Sequence, residues 1–208
     1  MEALCAWPRG QRRLAAGIAL AVLATSFEQV DRLLVPMADV STQLFTMLTF
    51  YFGLRATRER PRLFAALSGL CLGVAFSMRY TQVLLAASVV CLFVWRYRKE
   101  GWRKLMTNLV ICGAAASLAA APVLWYHNAT FGGPFSVGSE ELDLFSWASL
   151  SRTFVRMAEA LAQPREFLYL LPFIGWGLVR FGHKVRCVAV ATVVWLVVIV
   201  AFHLFYEA

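Results

Sequence analysis

The chain has 208 residues, of which 60% are hydrophobic and only 15% charged, and its mean hydropathy is +0.65. Soluble domains carry about 45–50% apolar and about 25% charged residues, so the composition excludes an ordinary water-soluble fold. A net charge of +8 points to nucleic acid only if the basic residues share one surface, and their distribution along the chain argues otherwise.

Residues 1–13 place Arg9, Arg12 and Arg13 ahead of an apolar run, a start that superficially matches a secretory signal. No small-residue cleavage pattern follows, and the polar stretch 26–32 leads into more apolar runs, so 14–34 reads as an uncleaved first span. A helix needs about 20 mainly apolar residues to cross a hydrocarbon core of about 30 Å. On that criterion further spans fall at 36–54, 63–77, 81–95, 105–125, 167–179 and 185–205. The first is weakened by Glu28, Asp31 and Arg32. The third, fourth and sixth are short, which interfacial flanks or a locally thinned bilayer accommodates. The expected fold class is all-α: a polytopic transmembrane bundle of about seven spans in one membrane domain, 1–208.

Seven crossings with a cytoplasmic N-terminus put the segments 1–13, 55–62, 96–104 and 180–186 inside. These hold fifteen of the twenty Lys and Arg residues, while nine of the twelve carboxylates fall outside. The positive-inside rule is thus met at every loop. The basic excess is a topogenic signal spread over four short loops, and it argues against nucleic acid as a partner. Membrane lipids are the expected surroundings, and the long loop and C-terminus are expected outside, at the plasma membrane if the source is bacterial.

The long outer loop, 126–166, contains Trp147, Leu150, Phe154, Met157 and Leu161 at alternating spacings of three and four. That period marks an amphipathic helix with Arg152, Arg156 and Glu159 on its polar side. It either lies along the membrane surface or packs on the outer ends of the spans. The five cysteines, Cys5, Cys71, Cys91, Cys112 and Cys187, show neither disulfide nor zinc spacing. Glu140, Glu141 and Asp143, with His127, offer ligands for a divalent cation. Their spacing fixes no geometry, and a solvated acidic loop is the competing reading. No other cofactor is expected. His203 and Glu207 read as a helix-surface pair, and Asn128-Ala129-Thr130 forms a glycosylation sequon that matters only in a eukaryotic secretory membrane.

Arg79 stands between the spans 63–77 and 81–95. Leu63 to Arg79 covers 17 residues, about 25 Å of helix, so Arg79 is expected at or just below the outer interface. A guanidinium there snorkels to headgroups, pairs with a loop carboxylate, or binds the phosphate of a lipid-linked substrate, for which its planar fork is suited. The helix before it carries Ala65, Gly69, Gly73 and Ser77 at intervals of four, a face that lets another helix approach closely.

These residues carry a resemblance. The stretch LFAALSGLCLGVAFSMRYTQVLLAASVVCLFVW resembles a signature of the polyprenyl-phosphate-sugar-dependent membrane glycosyltransferases of the GT-C fold, which include protein O-mannosyltransferases and lipid A aminoarabinose transferases. The matching positions are Gly69, Gly73, Arg79, Tyr80 and Thr81. MADVSTQLFTMLTFYFGLRATRERPR is similar to the family's acidic helix end followed by a span and a basic inner loop. PVLWYHNATFGGPF is similar to its stretch at the start of a large outer loop, through Pro122, Asn128, Phe131, Gly132 and Pro134. QPREFLYLLPFIGWGLVR is similar to the span after that loop.

The resemblance implies transfer of a sugar from a polyprenyl-phosphate donor to an acceptor at the outer membrane face. An aspartate deprotonates the acceptor hydroxyl, and Asp39 matches the family's acidic position before the second span here, although ADVSTQ also reads as a helix N-cap. Arg79 matches the phosphate side, with Tyr80, Thr81, His127 and Asn128 as further substrate-binding candidates. The family's principal catalytic aspartate follows a first span upstream of the segments matched here. Those N-terminal helices are therefore expected on another chain, and the 208 residues alone are expected to bind polyprenyl phosphate without turnover. A non-catalytic or truncated scaffold of the same fold is the alternative. A transporter fits less well, because no span holds an ionisable residue near its centre.

Overall fold

The computed structural model describes residues 38–98, 100–135, 152–156, 159 and 186–204. Helix α1, Ala38–Ala56, ends at a basic turn, and Pro61 opens α2, Pro61–Met78. Proline suits that first helical position, where its missing N–H would have been unpaired in any case. α2 stops at Met78. Arg79 takes an extended backbone, φ −146° and ψ 117°, while its N–H closes the last turn on the Ala75 carbonyl at 3.0 Å. A 3₁₀ helix, Tyr80–Leu84, then runs directly into α3, Leu85–Tyr97. Two further helices follow, the long α4 over Trp102–Phe131 and α5 over Arg186–Leu204. The fold is all-helical, with no strand among the described residues.

Three stretches among the described residues are long and apolar enough to cross a membrane: Pro61–Met78, Tyr80–Tyr97 and Trp102–Phe131. They correspond to the spans expected at 63–77, 81–95 and 105–125, and each is longer than hydropathy drew it. Exposed Trp102 and Trp125 lie about 34 Å apart along α4, close to the separation of the two aromatic belts of a bilayer. α1 and α5 match the spans expected at 36–54 and 185–205 as helices but are not among those three, and 14–34 and 167–179 lie outside the described residues. The described helices therefore do not reach seven crossings. α1 is less apolar because it carries Asp39, Gln43 and Arg55 besides Thr42, Thr46 and Thr49, and all three threonines are buried. This threonine stripe faces inward, and Thr49 is satisfied locally by donating to the Phe45 carbonyl at 2.8 Å. Of the expected amphipathic helix, residues 152–156 are described and helical, with Phe154 exposed.

The closest packing in the bundle joins α2 and α4, which run parallel. A Cβ built on Gly69 would sit 2.1 Å from the Cys112 carbonyl oxygen, and one on Gly73 would sit 2.3 Å from that of Ala116. The small-residue face read from the sequence thus has a partner: the Cys112, Ala115, Ala116 and Ala119 side of α4. α1 lies antiparallel on α2, fastened where Ser68 Oγ donates to the Thr49 carbonyl at 2.9 Å. α3 supplies the largest fully buried side chains, Phe93, Leu85 and Leu92.

The basic turns meet at one end of the bundle. Tyr97 Oη donates to the Ala56 carbonyl at 2.6 Å and Arg96 Nε to that of Thr57 at 2.7 Å, which brings segments 55–62 and 96–104 together. Arg79 and the C-terminal end of α4 lie at the opposite end.

Candidate functional site

The break at Arg79 shapes the site. α2 delivers Phe76 to its last turn, the extended Arg79 reverses the chain, and the 3₁₀ helix begins on Tyr80. Arg79 is exposed. Tyr80 stands edge-on to Phe76, with ring centres 5.1 Å apart, and edge-on to His127 of α4 at 5.7 Å. The phenol hydroxyl and His127 Nδ1 are 3.0 Å apart, within hydrogen-bond reach. Tyr126 and Phe131 flank the imidazole on its own helix, at 5.8 and 5.3 Å between ring centres. Two residues singled out on separate motifs are therefore in direct contact, half-buried, with Arg79 as the next residue along the chain.

α4 corrects one sequence expectation. The span was expected to end at residue 125, with His127 and Asn128 in the long outer loop that begins at 126. Instead Pro122 lies inside the helix, which continues to Phe131 and stops at Gly132. Gly132 adopts φ 76°, a left-handed conformation suited to glycine, and its N–H caps the Asn128 carbonyl at 3.1 Å. His127 and Asn128 are thus held on a helix, two and three residues beyond the exposed Trp125. Asn128 is exposed, and Thr81 is half-buried in the 3₁₀ helix.

α1 joins the site through a contact that sequence reading missed. Thr46 Oγ1 donates to Gln82 Oε1 at 3.0 Å. The spacing of Thr42, Thr46 and Thr49 by four and three was the available signal, a polar stripe on an otherwise apolar helix. The Asp39 backbone lies in α1, seven residues before Thr46, about 10 Å further along the axis. Glu140, Glu141 and Asp143 lie outside the described residues. No group of three His, Cys, Asp or Glu side chains able to hold a metal occurs among the described residues.

Apolar helices of membrane-crossing length make this an integral membrane protein. The model of the dolichyl-phosphate-mannose-protein mannosyltransferase family matches residues 10–126, and the chain belongs to that family. It is a mannosyltransferase-like membrane glycosyltransferase, consistent with the GT-C superfamily. The matched region contains Asp39, Arg79, Tyr80 and Thr81 and ends one residue before His127. Neither a curated protein nor a solved structure shows a significant match.

Proposed function

We propose that the chain is a membrane glycosyltransferase, or the part of one that binds the donor, serving transfer of a sugar from a polyprenyl-phosphate donor to an acceptor at the outer face of the membrane. Arg79 binds the phosphate, aided by Tyr80, Thr81, His127 and Asn128, and Asp39 is the general base. In this reaction the base takes the proton of an acceptor hydroxyl, whose oxygen attacks the anomeric carbon. The bond from that carbon to the phosphate oxygen breaks, and the phosphate leaves with the electron pair. A guanidinium at the leaving group offsets the charge that develops there. The family's donor makes polyprenyl-phosphate mannose the first sugar to test.

The observation that carries the reading is the convergence at one end of the bundle of exposed Arg79 with the Tyr80–His127 contact. Its orientation is supported by the opposite end, where the basic turns meet. The positive-inside rule assigns those turns to the cytoplasm, which faces Arg79 outward and the N-terminus inward.

The test is binding of polyprenyl phosphate to the purified chain in nanodiscs. Arg79→Lys keeps the charge but loses the planar fork, so affinity falls, and Arg79→Gln lowers it about tenfold or more. Binding indifferent to both substitutions would reduce Arg79 to a headgroup anchor and remove the proposal.

A further inference from the structure

The contact between Tyr80 and His127 joins residues 47 apart in sequence and has a chemical consequence for the imidazole. In a neutral imidazole one nitrogen donates and the other accepts. A phenol O–H is a stronger acid than an imidazole N–H and an imidazole nitrogen a better acceptor than a phenol oxygen, so the favoured arrangement of this contact has Tyr80 donating to His127 Nδ1. The ring proton then resides on Nε2. A protonated ring carries hydrogens on both nitrogens, and Nδ1–H then donates to the phenol oxygen. In both states Nε2 bears a hydrogen. It has no partner among the described residues, and the surrounding rings of Tyr80, Tyr126 and Phe131 fix its direction.

We infer that Tyr80 is a positioning residue that holds His127 as an Nε2–H donor to the phosphate of the lipid-linked sugar, beside Arg79. This rests on the reading of the Arg79 end as the phosphate site. It assigns His127 to leaving-group recognition and removes it as a base, because a nitrogen that already bears a hydrogen cannot take the acceptor proton. The guanidinium fork engages the two non-bridging oxygens of the donor's phosphodiester and leaves the glycosidic oxygen, which becomes the third terminal oxygen when the phosphate departs, for a neutral donor from α4. Phosphate recognition then spans α2 and α4, the two helices locked at Gly69 and Gly73.

The test uses the full chain, labelled with ¹⁵N-histidine, in nanodiscs. The chain has three histidines, and His127→Phe identifies the resonances of His127. Long-range ¹⁵N–¹H correlation is expected to show the neutral ring protonated at Nε2, with that proton moving downfield as polyprenyl phosphate is added. His127→Phe keeps a ring but no N–H, and polyprenyl-phosphate affinity falls about tenfold or more. His127→Gln recovers part of the loss through its amide. Tyr80→Phe keeps the packing, gives mixed tautomers and weakens binding roughly threefold to tenfold. A wild-type ring protonated at Nδ1 would overturn the inference. So would full affinity in His127→Phe alongside weak binding in Arg79→Gln, a result that leaves the Arg79 reading standing. Wild-type affinity in all three of His127→Phe, Tyr80→Phe and Arg79→Gln would defeat the Arg79 reading itself. Phosphatidylglycerol serves as the competing lipid. Equal sensitivity of its binding to these substitutions would indicate a general headgroup site and overturn the assignment to a lipid-linked sugar.

Discussion

Replacing Gly69 or Gly73 by alanine adds one methyl group where α2 touches the backbone of α4. At Gly69 the new carbon would meet the Cys112 carbonyl oxygen at 2.1 Å. At Gly73 it would meet the Ala116 oxygen at 2.3 Å and Ala119 Cβ at 2.7 Å, whereas ordinary contacts begin near 3.4 Å. A backbone carbonyl cannot rotate away, so α4 must retreat by about 1 Å, and a gap of that size forfeits roughly a quarter to a half of each dispersion contact along the seam. Overpacking of this kind costs about 1–3 kcal/mol, and a rigid obstacle places each substitution at or above the upper part of that range. Gly113 is the control. It lies on the facing helix, α4, with nothing within 4 Å of its Cβ position, so Gly113→Ala should be neutral or stabilise by about 0.5–1 kcal/mol through helix propensity. Unfolding in mixed micelles with increasing SDS, followed by tryptophan fluorescence, measures all three. If Gly69→Ala and Gly73→Ala were as stable as Gly113→Ala, the close approach of α2 and α4 would be refuted.

Tyr97→Phe should destabilise the bundle by about 1–2 kcal/mol in the same assay, because it leaves the Ala56 carbonyl without its buried donor at 2.6 Å. Single cysteines at Arg103 and Thr130, exposed at opposite ends of α4, should label from opposite sides of the membrane in a background lacking the native cysteines. Labelling from one side would contradict the crossing by α4. In membranes where sugar transfer is observed, with the upstream helices supplied, Asp39→Asn should abolish it while leaving polyprenyl-phosphate affinity within about threefold of wild type, since a general base acts on the acceptor rather than on the phosphate. Undiminished transfer would remove Asp39 from the mechanism.

The parts of the structure legible in the sequence are those set by local periodicity. Ala65, Gly69, Gly73 and Ser77 recur every fourth residue, so the close helix face could be read directly. Its partner could not, because which helix fills a groove is decided by tertiary packing. Arg79 was placed correctly between two helices, because polarity interrupts the apolar run there. The end of α4 was drawn at 125, short of Phe131, because the apolar run gives way there to Tyr126, His127 and Asn128. In apolar helices proline is tolerated where neighbouring groups satisfy the freed carbonyl, and the stop signal that counts here is Gly132. The Tyr80–His127 contact was invisible to spacing arguments, since nothing local links residues on separate helices. The threonines of α1 were likewise hidden, because hydropathy scores a buried hydroxyl as though it faced water.

The central claim is that the Arg79 end of the bundle receives a polyprenyl-phosphate sugar. A polyprenyl-phosphate mannose bearing a diazirine beside the phosphate, photolysed in membranes containing the full chain, tests it most directly. The account predicts crosslinks confined to residues 76–84 and 125–132, competed by unlabelled polyprenyl phosphate and lost in Arg79→Gln. Crosslinks at the basic turns, or labelling that neither competition nor Arg79→Gln reduces, would contradict it.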